Sequence, residues 1–336
     1  MSTKVAILGA GSWGIANANL LMANGAAVTM WEFDAVELAL LQRTHEHPRK
    51  LPGIHIHDSI RLTGDLAAAL NDADVVVFAA PTQTLAGICR QLTAVGAPAP
   101  GLIINLAKGI EEKTLRRASQ IIGDEWRTAV REAIVTLSGP SHAEEVALQL
   151  PTSVVVAGDG TKCFAAQKLY SNAVFRVYRC ADIIGVELGG SLKNIIAIGS
   201  GIARGLGFGD NTQGALITRG LFEINRLAME LGAQPETLAG LSGVGDLITT
   251  CISEHSRNRY VGYHIGLGKT LHEVLAGMVM VAEGVTTCRS GRELAHRHGV
   301  EMPITEAVYA VLFENLPPRE AVTSLMTRPL KEEMWQ

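Results

Sequence analysis

VAILGAGSWGIA, residues 5–16, decides how the rest of the chain is read. Val5-Ala6-Ile7-Leu8 carries no charge and reads as a central strand of a parallel sheet, buried on both faces. Gly9, Gly11 and Gly14 follow it in the spacing G-x-G-x-x-G. The spacing has a steric logic: Gly9 permits a tight turn, Gly11 leaves room for a pyrophosphate beside the backbone, and Gly14 lets the next helix pack close to the strand. A helix beginning there turns its unpaired N–H groups toward an anion. Taken alone, the pattern also fits a strand-turn-helix that holds no ligand, so the flanking sequence has to decide.

Downstream, Ile15 to Asn24 reads as a helix ending at Gly25, and Ala27-Val28-Thr29-Met30-Trp31 as a second strand. Glu32 closes that strand about 20 residues after the glycines, where an acidic side chain accepts hydrogen bonds from an adenosine ribose. Strand, glycine turn, helix, strand and acid agree on dinucleotide binding. Phe33 comes next, and neither Arg nor Lys occurs from there until Arg43. A 2′-phosphate finds no basic neighbour in that stretch, which favours NAD over NADP.

The 336 residues are 47% hydrophobic and 18% charged, enough for two domains with sizeable cores. A formal net charge of −4 offers no basic excess for nucleic acid. Five cysteines, at 89, 163, 180, 251 and 288, include no C-x-x-C pair, so neither a zinc knuckle nor a disulfide framework is expected. The opening MSTKVAIL has too short an apolar run for a secretory signal, and no uninterrupted apolar run reaches membrane-spanning length. A cytoplasmic protein without membrane insertion is the expectation.

Further strands are expected at 75–80, 102–106, 133–137 and 152–157, with helical stretches between most of them. That alternation describes an α/β fold, a Rossmann-like doubly wound parallel sheet over residues 1–184. Beyond Asp182 the apolar spacing turns helical, as in Leu192 to Ala203 and Thr212 to Leu231, so residues 185–336 read as a second, all-α domain.

Ligands bind at the carboxyl ends of strands in such sheets, which singles out residues just after them. Lys108 follows one strand and reads either as a surface lysine or as a cation over the cofactor crevice. Ser138-Gly139-Pro140-Ser141-His142 follows another, with Ser141 as the expected N-cap of a helix near Ala143. Lys193 interrupts a strongly apolar helical stretch, where an ammonium either snorkels outward or is held for function. Desolvation favours its neutral form, the state a general base requires, and a carboxylate neighbour opposes that shift. Asp246, another lone charge among glycines and apolar residues, is the candidate carboxylate, or else a helix N-cap. Ser256-Arg257-Asn258-Arg259 suits a phosphate, of substrate or cofactor, or else a solvated helix start. His45-Glu46-His47 and His55-Ile56-His57 invite a metal reading, but with no thiolate or ordered carboxylate set they read as surface histidines and no metal is expected.

Taken in order, GAGSWG at 9–14, NLAKG at 105–109, SGPSHAEEVA at 138–147, LGGSLKNIIAIGSGI at 188–202, GLGFGDNT at 205–212, LSGVGDLITTC at 241–251 and SRNR at 256–259 resemble the bacterial-type NAD(P)-dependent glycerol-3-phosphate dehydrogenases. The likeness continues through VAEGVTT and GVEMPITEAVY, over nearly the whole chain. It implies interconversion of dihydroxyacetone phosphate and sn-glycerol 3-phosphate, supply of the latter to glycerophospholipid synthesis, and a homodimer. Lys193 would exchange the proton of the C2 hydroxyl, with Asp246 and Thr250 orienting it. Lys108, Gly139, Ser141, Asn194, Ser256, Arg257 and Asn258 would bind substrate. The cofactor would meet Gly9, Gly11, Ser12, Trp13, Gly14, Glu32, Phe33, Lys108, Ser141, Ala143, Arg257, Val281 and Glu283. Ile15-Ala16-Asn17-Ala18 departs from the family's Thr-Ala-Leu-Ala, a difference of helix packing. Hydroxyacid dehydrogenases of the 3-hydroxyacid and 6-phosphogluconate types are the rival enzymes, and a redox sensor without turnover the non-enzymatic one.

Overall fold

The apolar run after the N-terminus forms strand β1 (Lys4–Leu8), buried from Val5 onward. The computed structural model describes residues 2–333. Nine more strands follow: β2 (Ala27–Trp31), β3 (Glu46–His47), β4 (Leu51–His55), β5 (Arg61–Thr63), β6 (Val75–Phe78), β7 (Leu102–Asn105), β8 (Ile134–Ser138), β9 (Thr152–Ala157) and β10 (Phe175–Cys180). Eight of the ten share one sheet in the order β10-β9-β8-β7-β6-β1-β2-β5, while β3 and β4 form a separate hairpin.

The expected parallel sheet needs one correction. β8 and β9 pair antiparallel, with Leu137 opposite Val156, and every other pairing in the sheet is parallel. The cause lies in the connection: its helix, Ala143–Ala147, has five residues and is too short to carry the chain back along the sheet, so β9 returns beside β8 in the opposite sense. Edge strands β5 and β10 and the β3–β4 hairpin are too short or too polar to stand out by hydrophobic periodicity, since edges are kept short and charged.

The chain leaves β1 for β2 on one side and returns to β6 on the other, which opens a crevice at the carboxyl ends of β1 and β6. The glycine turn lies in it. Gly9 has φ +117°, and a Cβ there would stand 2.9 Å from the Ala79 carbonyl oxygen; one on Gly14 would stand 2.0 Å from that of Gly9. Both positions therefore demand glycine. The helix begins earlier than its periodicity suggests, spanning Ser12–Ala23, and the side-chain N–H of buried Asn17 donates to the Trp13 carbonyl at 2.8 Å.

After β10, Asp182 accepts from the Gly185 N–H at 2.8 Å and caps the helix Ile183–Gly205. By length and composition this helix is apolar enough to cross a membrane, yet it lies inside the protein, buried from Gly185 through Ala203. Helix Arg257–Gly266 crosses it in close contact: a Cβ on Gly262 would stand 1.9 Å from the Ile198 carbonyl oxygen, and one on Gly201 2.1 Å from that of Arg259. Among the described residues no strand occurs beyond Cys180.

Candidate active site

Lys193 sits at the middle of the buried helix with 4% of its surface exposed. Gly190, one turn earlier, faces Ser138 and the stem of Lys108 so closely that a Cβ would stand 2.7 Å from the Ser138 hydroxyl, and this brings the helix against the carboxyl edge of the sheet. The Lys193 ammonium donates to Thr250 Oγ1 at 2.6 Å and to Asn194 Oδ1 at 3.2 Å, and stands 3.1 Å from Asp246 Oδ1. From the sheet side, the Lys108 ammonium reaches Asp246 Oδ2 at 2.8 Å and the Gly139 carbonyl at 3.0 Å. A π-helical turn, Leu241–Gly245, delivers Asp246 as the first residue of the helix Asp246–Ile252, where its side chain meets the two lysines and accepts from Thr250 Oγ1.

Burial sets the protonation of this cluster. Desolvation brings the Lys193 amine down to about 8 against the pull of Asp246, and Lys108 adds to the fall. For Asp246 burial works upward, but the ammonium groups of Lys108 and Lys193 outweigh it and hold the carboxyl below its usual range. His142 borders the same space. Burial first, then Lys193, pushes it down to about 4, so its imidazole is neutral near pH 7.

One segment, residues 277–283, follows the crevice from end to end. Met278 lines a cavity of about 480 Å³ with Glu32, Phe33, Glu37, Arg49 and Lys50. Met280 Sδ lies 3.5 Å from the Ser12 hydroxyl in the glycine turn, and the Val281 carbonyl accepts from Arg257 at 3.0 Å. Glu283 then accepts from the Thr82 N–H at 2.7 Å and from the Lys108 N–H at 3.4 Å. Asn194 donates to the Lys108 carbonyl at 3.2 Å, and Asn258 accepts from the Gly284 N–H at 2.9 Å.

The turn suits a pyrophosphate. No side chain caps the helix that Gly11 opens, and a Cβ on Gly11 would meet nothing within 4 Å, so first-turn N–H groups face open space. Trp13 packs against the core beneath the turn, and Ala143 is buried behind it. Glu32, buried, accepts from the Asp34 N–H at 3.0 Å, while Phe33 is 78% exposed beside the same cavity.

Three sequence readings change, and one buried acid was not anticipated. Ser141 is not the N-cap: His142 takes that position, and the Ser141 hydroxyl donates to the Gly139 carbonyl at 2.9 Å. Buried His47 is not a surface histidine, since it pairs with Glu37. Arg49 and Lys50, distant from Phe33 in sequence, are folded back beside it by the hairpin, both ion-paired to Glu37. Finally Glu187, unremarked in the sequence, is buried and anchors the Lys193 helix. It takes the Ser119 N–H at 2.8 Å, the Ser119 hydroxyl at 2.7 Å, the Thr136 hydroxyl at 2.9 Å and the Arg117 guanidinium. The signal was available as a lone acid six residues before Lys193 in an apolar stretch.

This arrangement of a glycine turn, a sheet-edge lysine and a helix-borne lysine sharing one carboxylate has close relatives. The N-terminal model of the NAD-dependent glycerol-3-phosphate dehydrogenases matches residues 4–163 and the C-terminal model residues 182–323. The glycerol-3-phosphate dehydrogenase (NAD(P)+) of Pelotomaculum thermopropionicum is 50% identical over 335 residues, 99% of this chain and 96% of its own. That of Geobacter sulfurreducens is 47% identical over the full length of both. The solved glycerol-3-phosphate dehydrogenase of Coxiella burnetii superposes with a TM-score of 0.93 at 35% identity, covering 97% of this chain and 99% of that one. Both halves match in order and the agreement runs the length of the chain, so this protein belongs to the NAD-dependent glycerol-3-phosphate dehydrogenase family.

Proposed function

We propose that the chain interconverts dihydroxyacetone phosphate and sn-glycerol 3-phosphate, with Lys193 moving the proton of the C2 oxygen. The observation that carries this reading is the buried Lys193 amine, brought to about 8 and held by Asp246 and Thr250 at the mouth of a dinucleotide crevice. When bound, the nicotinamide supplies or accepts the hydride at C2. In the reducing direction Lys193 gives its proton to the oxygen as negative charge gathers there, and in the oxidising direction the neutral amine takes it back. Lys108 offers a second positive charge to that oxygen or to the phosphate. Asp246 and Thr250 position Lys193 and keep its proton within reach.

Gly139, Ser141, Asn194, Ser256, Arg257 and Asn258 bind the rest of the substrate, its phosphate serving as an unreacting handle. Arg257 also reaches the cofactor. Gly9, Gly11, Ser12, Trp13 and Gly14 would hold the pyrophosphate, Ala143, Val281 and Glu283 would border the nicotinamide side, and Glu32 would take the ribose hydroxyls. NADH is the favoured cofactor in this reading because Glu32 ends β2 where a ribose hydroxyl is accepted, and Arg49 and Lys50 in the same cavity are already ion-paired to Glu37. We further propose a division into residues 1–184 and 185–336, a homodimer, a cytoplasmic site of action and delivery of product to phospholipid synthesis.

The deciding assay follows the absorbance of reduced nicotinamide as purified protein meets dihydroxyacetone phosphate, with NADH and NADPH in parallel. Rapid oxidation of NADH supports the reaction and the cofactor reading. Equal rates retain the reaction and remove the preference. No oxidation with either cofactor, with turnover of a 3-hydroxy acid instead, overturns the proposal.

A further inference from the structure

We propose that His45, His55 and Asp58 form a binding site for a divalent transition metal ion of the zinc type, at the outer edge of the nucleotide-binding half. One ring nitrogen from each histidine and a carboxylate oxygen of Asp58 lie within 4.8 Å of one another. His55 Nε2 is 3.1 Å from Asp58 Oδ1, and His45 Nδ1 is 3.7 Å from the same oxygen. Tetrahedral zinc with bonds near 2.0–2.2 Å places its ligand atoms roughly 3.4 Å apart, midway between those two separations. The two imidazoles stack at 5.8 Å between centroids with 29° between planes, so their edges present side by side.

The backbone that carries these donors is held on three sides. His45 closes the helix Ala35–Thr44 in the left-handed region, φ 47° and ψ 33°, which a residue with a Cβ seldom adopts. Its N–H donates to the Leu41 carbonyl at 2.8 Å and its carbonyl accepts from the Ile56 N–H at 2.6 Å. Glu46 faces His55 across the β3–β4 ladder. From the first helix, Asn19 donates to the His55 carbonyl at 2.8 Å and accepts from the His57 N–H at 3.1 Å. Convergent donors on a braced backbone make a preorganised ligand set, unlike histidines scattered on a loop. His45 Nδ1 also lies 3.1 Å from the Ile56 carbonyl oxygen, a hydrogen bond that coordination at Nδ1 replaces.

Two imidazoles and one carboxylate suit zinc, nickel or copper, whereas magnesium and calcium prefer an all-oxygen shell. Three protein ligands leave a position for water. Among the described residues none of the three is bonded to Lys193, Asp246 or Lys108, so the ion takes no part in proton transfer. Its effect is to pin the hairpin to the end of the helix. That same hairpin carries Arg49 and Lys50 into the adenosine cavity, and the ion steadies this wall.

The test uses untagged full-length protein, stripped with a chelator and dialysed, then titrated with Zn²⁺ by calorimetry while thermal unfolding is followed in parallel. Binding of about one equivalent and a rise in Tm are expected, because an ion that binds only the folded state stabilises it. His55→Ala and Asp58→Asn each lower the affinity roughly tenfold or more. His57→Ala, next to the set but outside it, leaves affinity unchanged. All three positions are exposed, so the variants fold, and their dehydrogenase activity equals that of the parent. A Co²⁺ ligand-field band present in the parent and lost in His55→Ala marks nitrogen ligation. No Zn²⁺ binding by the parent, or affinity unaltered in both His55→Ala and Asp58→Asn, overturns the proposal.

Discussion

The Lys193 ammonium stands 3.1 Å from Oδ1 of Asp246, and both side chains are buried where the helical half meets the carboxyl edge of the sheet. Lys193 is therefore poised between its two forms near neutral pH, since its amine lies at about 8. Reduction needs the protonated amine, so its rate falls as pH rises through that value. Oxidation needs the neutral amine and gains over the same interval. Initial rates measured in both directions from pH 6 to 10 check the crossing, and parallel profiles would contradict the assigned role. Lys193→Ala loses about 10²–10⁴-fold in turnover while NADH binding, read by fluorescence, persists.

Asp246→Asn removes the main charge that opposes burial in the Lys193 environment, so desolvation and Lys108 dominate. The amine drops further, and the alkaline limb of the reduction profile moves to lower pH. Breaking a buried ion pair costs about 3–5 kcal/mol, of which Lys193 escapes part by releasing its proton. A profile unmoved in Asp246→Asn would show that the carboxylate does not tune the lysine.

Glu187 ties the Lys193 helix to Thr136 and Ser119 through buried hydrogen bonds and to Arg117 through an ion pair. Glu187→Ala strands these partners and lowers stability by about 3–5 kcal/mol, seen as an earlier urea midpoint. Glu187→Gln keeps the shape and part of the bonding, and falls between. An unchanged midpoint in Glu187→Ala would remove the anchor.

Gly262 and Gly87 both lie within helices, but their surroundings differ. A Cβ on Gly262 would stand 1.9 Å from the Ile198 carbonyl oxygen, whereas one on Gly87 would meet nothing within 4 Å. Gly262→Ala separates two packed helices and costs about 1–3 kcal/mol despite the better propensity of alanine. Gly87→Ala gains up to about 1 kcal/mol from that propensity. Thermal unfolding of the two variants should move in opposite directions, and a stabilised Gly262→Ala would refute the close-contact account.

Much of the local architecture was legible because it depends on short-range chemistry. Apolar runs, the G-x-G-x-x-G turn and the acid after the second strand are set by steric and hydrogen-bond rules that act within a few residues. Lys193 and Asp246 were visible as charges in apolar surroundings, where a charge requires a reason. The antiparallel return of β9, the edge strands β5 and β10 and the N-cap at His142 were not, because short polar elements carry little periodic signal and neighbouring cap candidates differ by one residue.

By itself, then, the sequence determined the α/β order, the glycine turn, the buried lysine and the family pattern that names its chemistry. Only the tertiary structure decided which charges meet. It set Lys108 and Lys193, far apart in the chain, on opposite oxygens of Asp246, folded Arg49 and Lys50 back beside Phe33, and brought His45, His55 and Asp58 together across a hairpin. Electrostatic coupling depends on distance through space and on burial, and neither is a property of position along the chain.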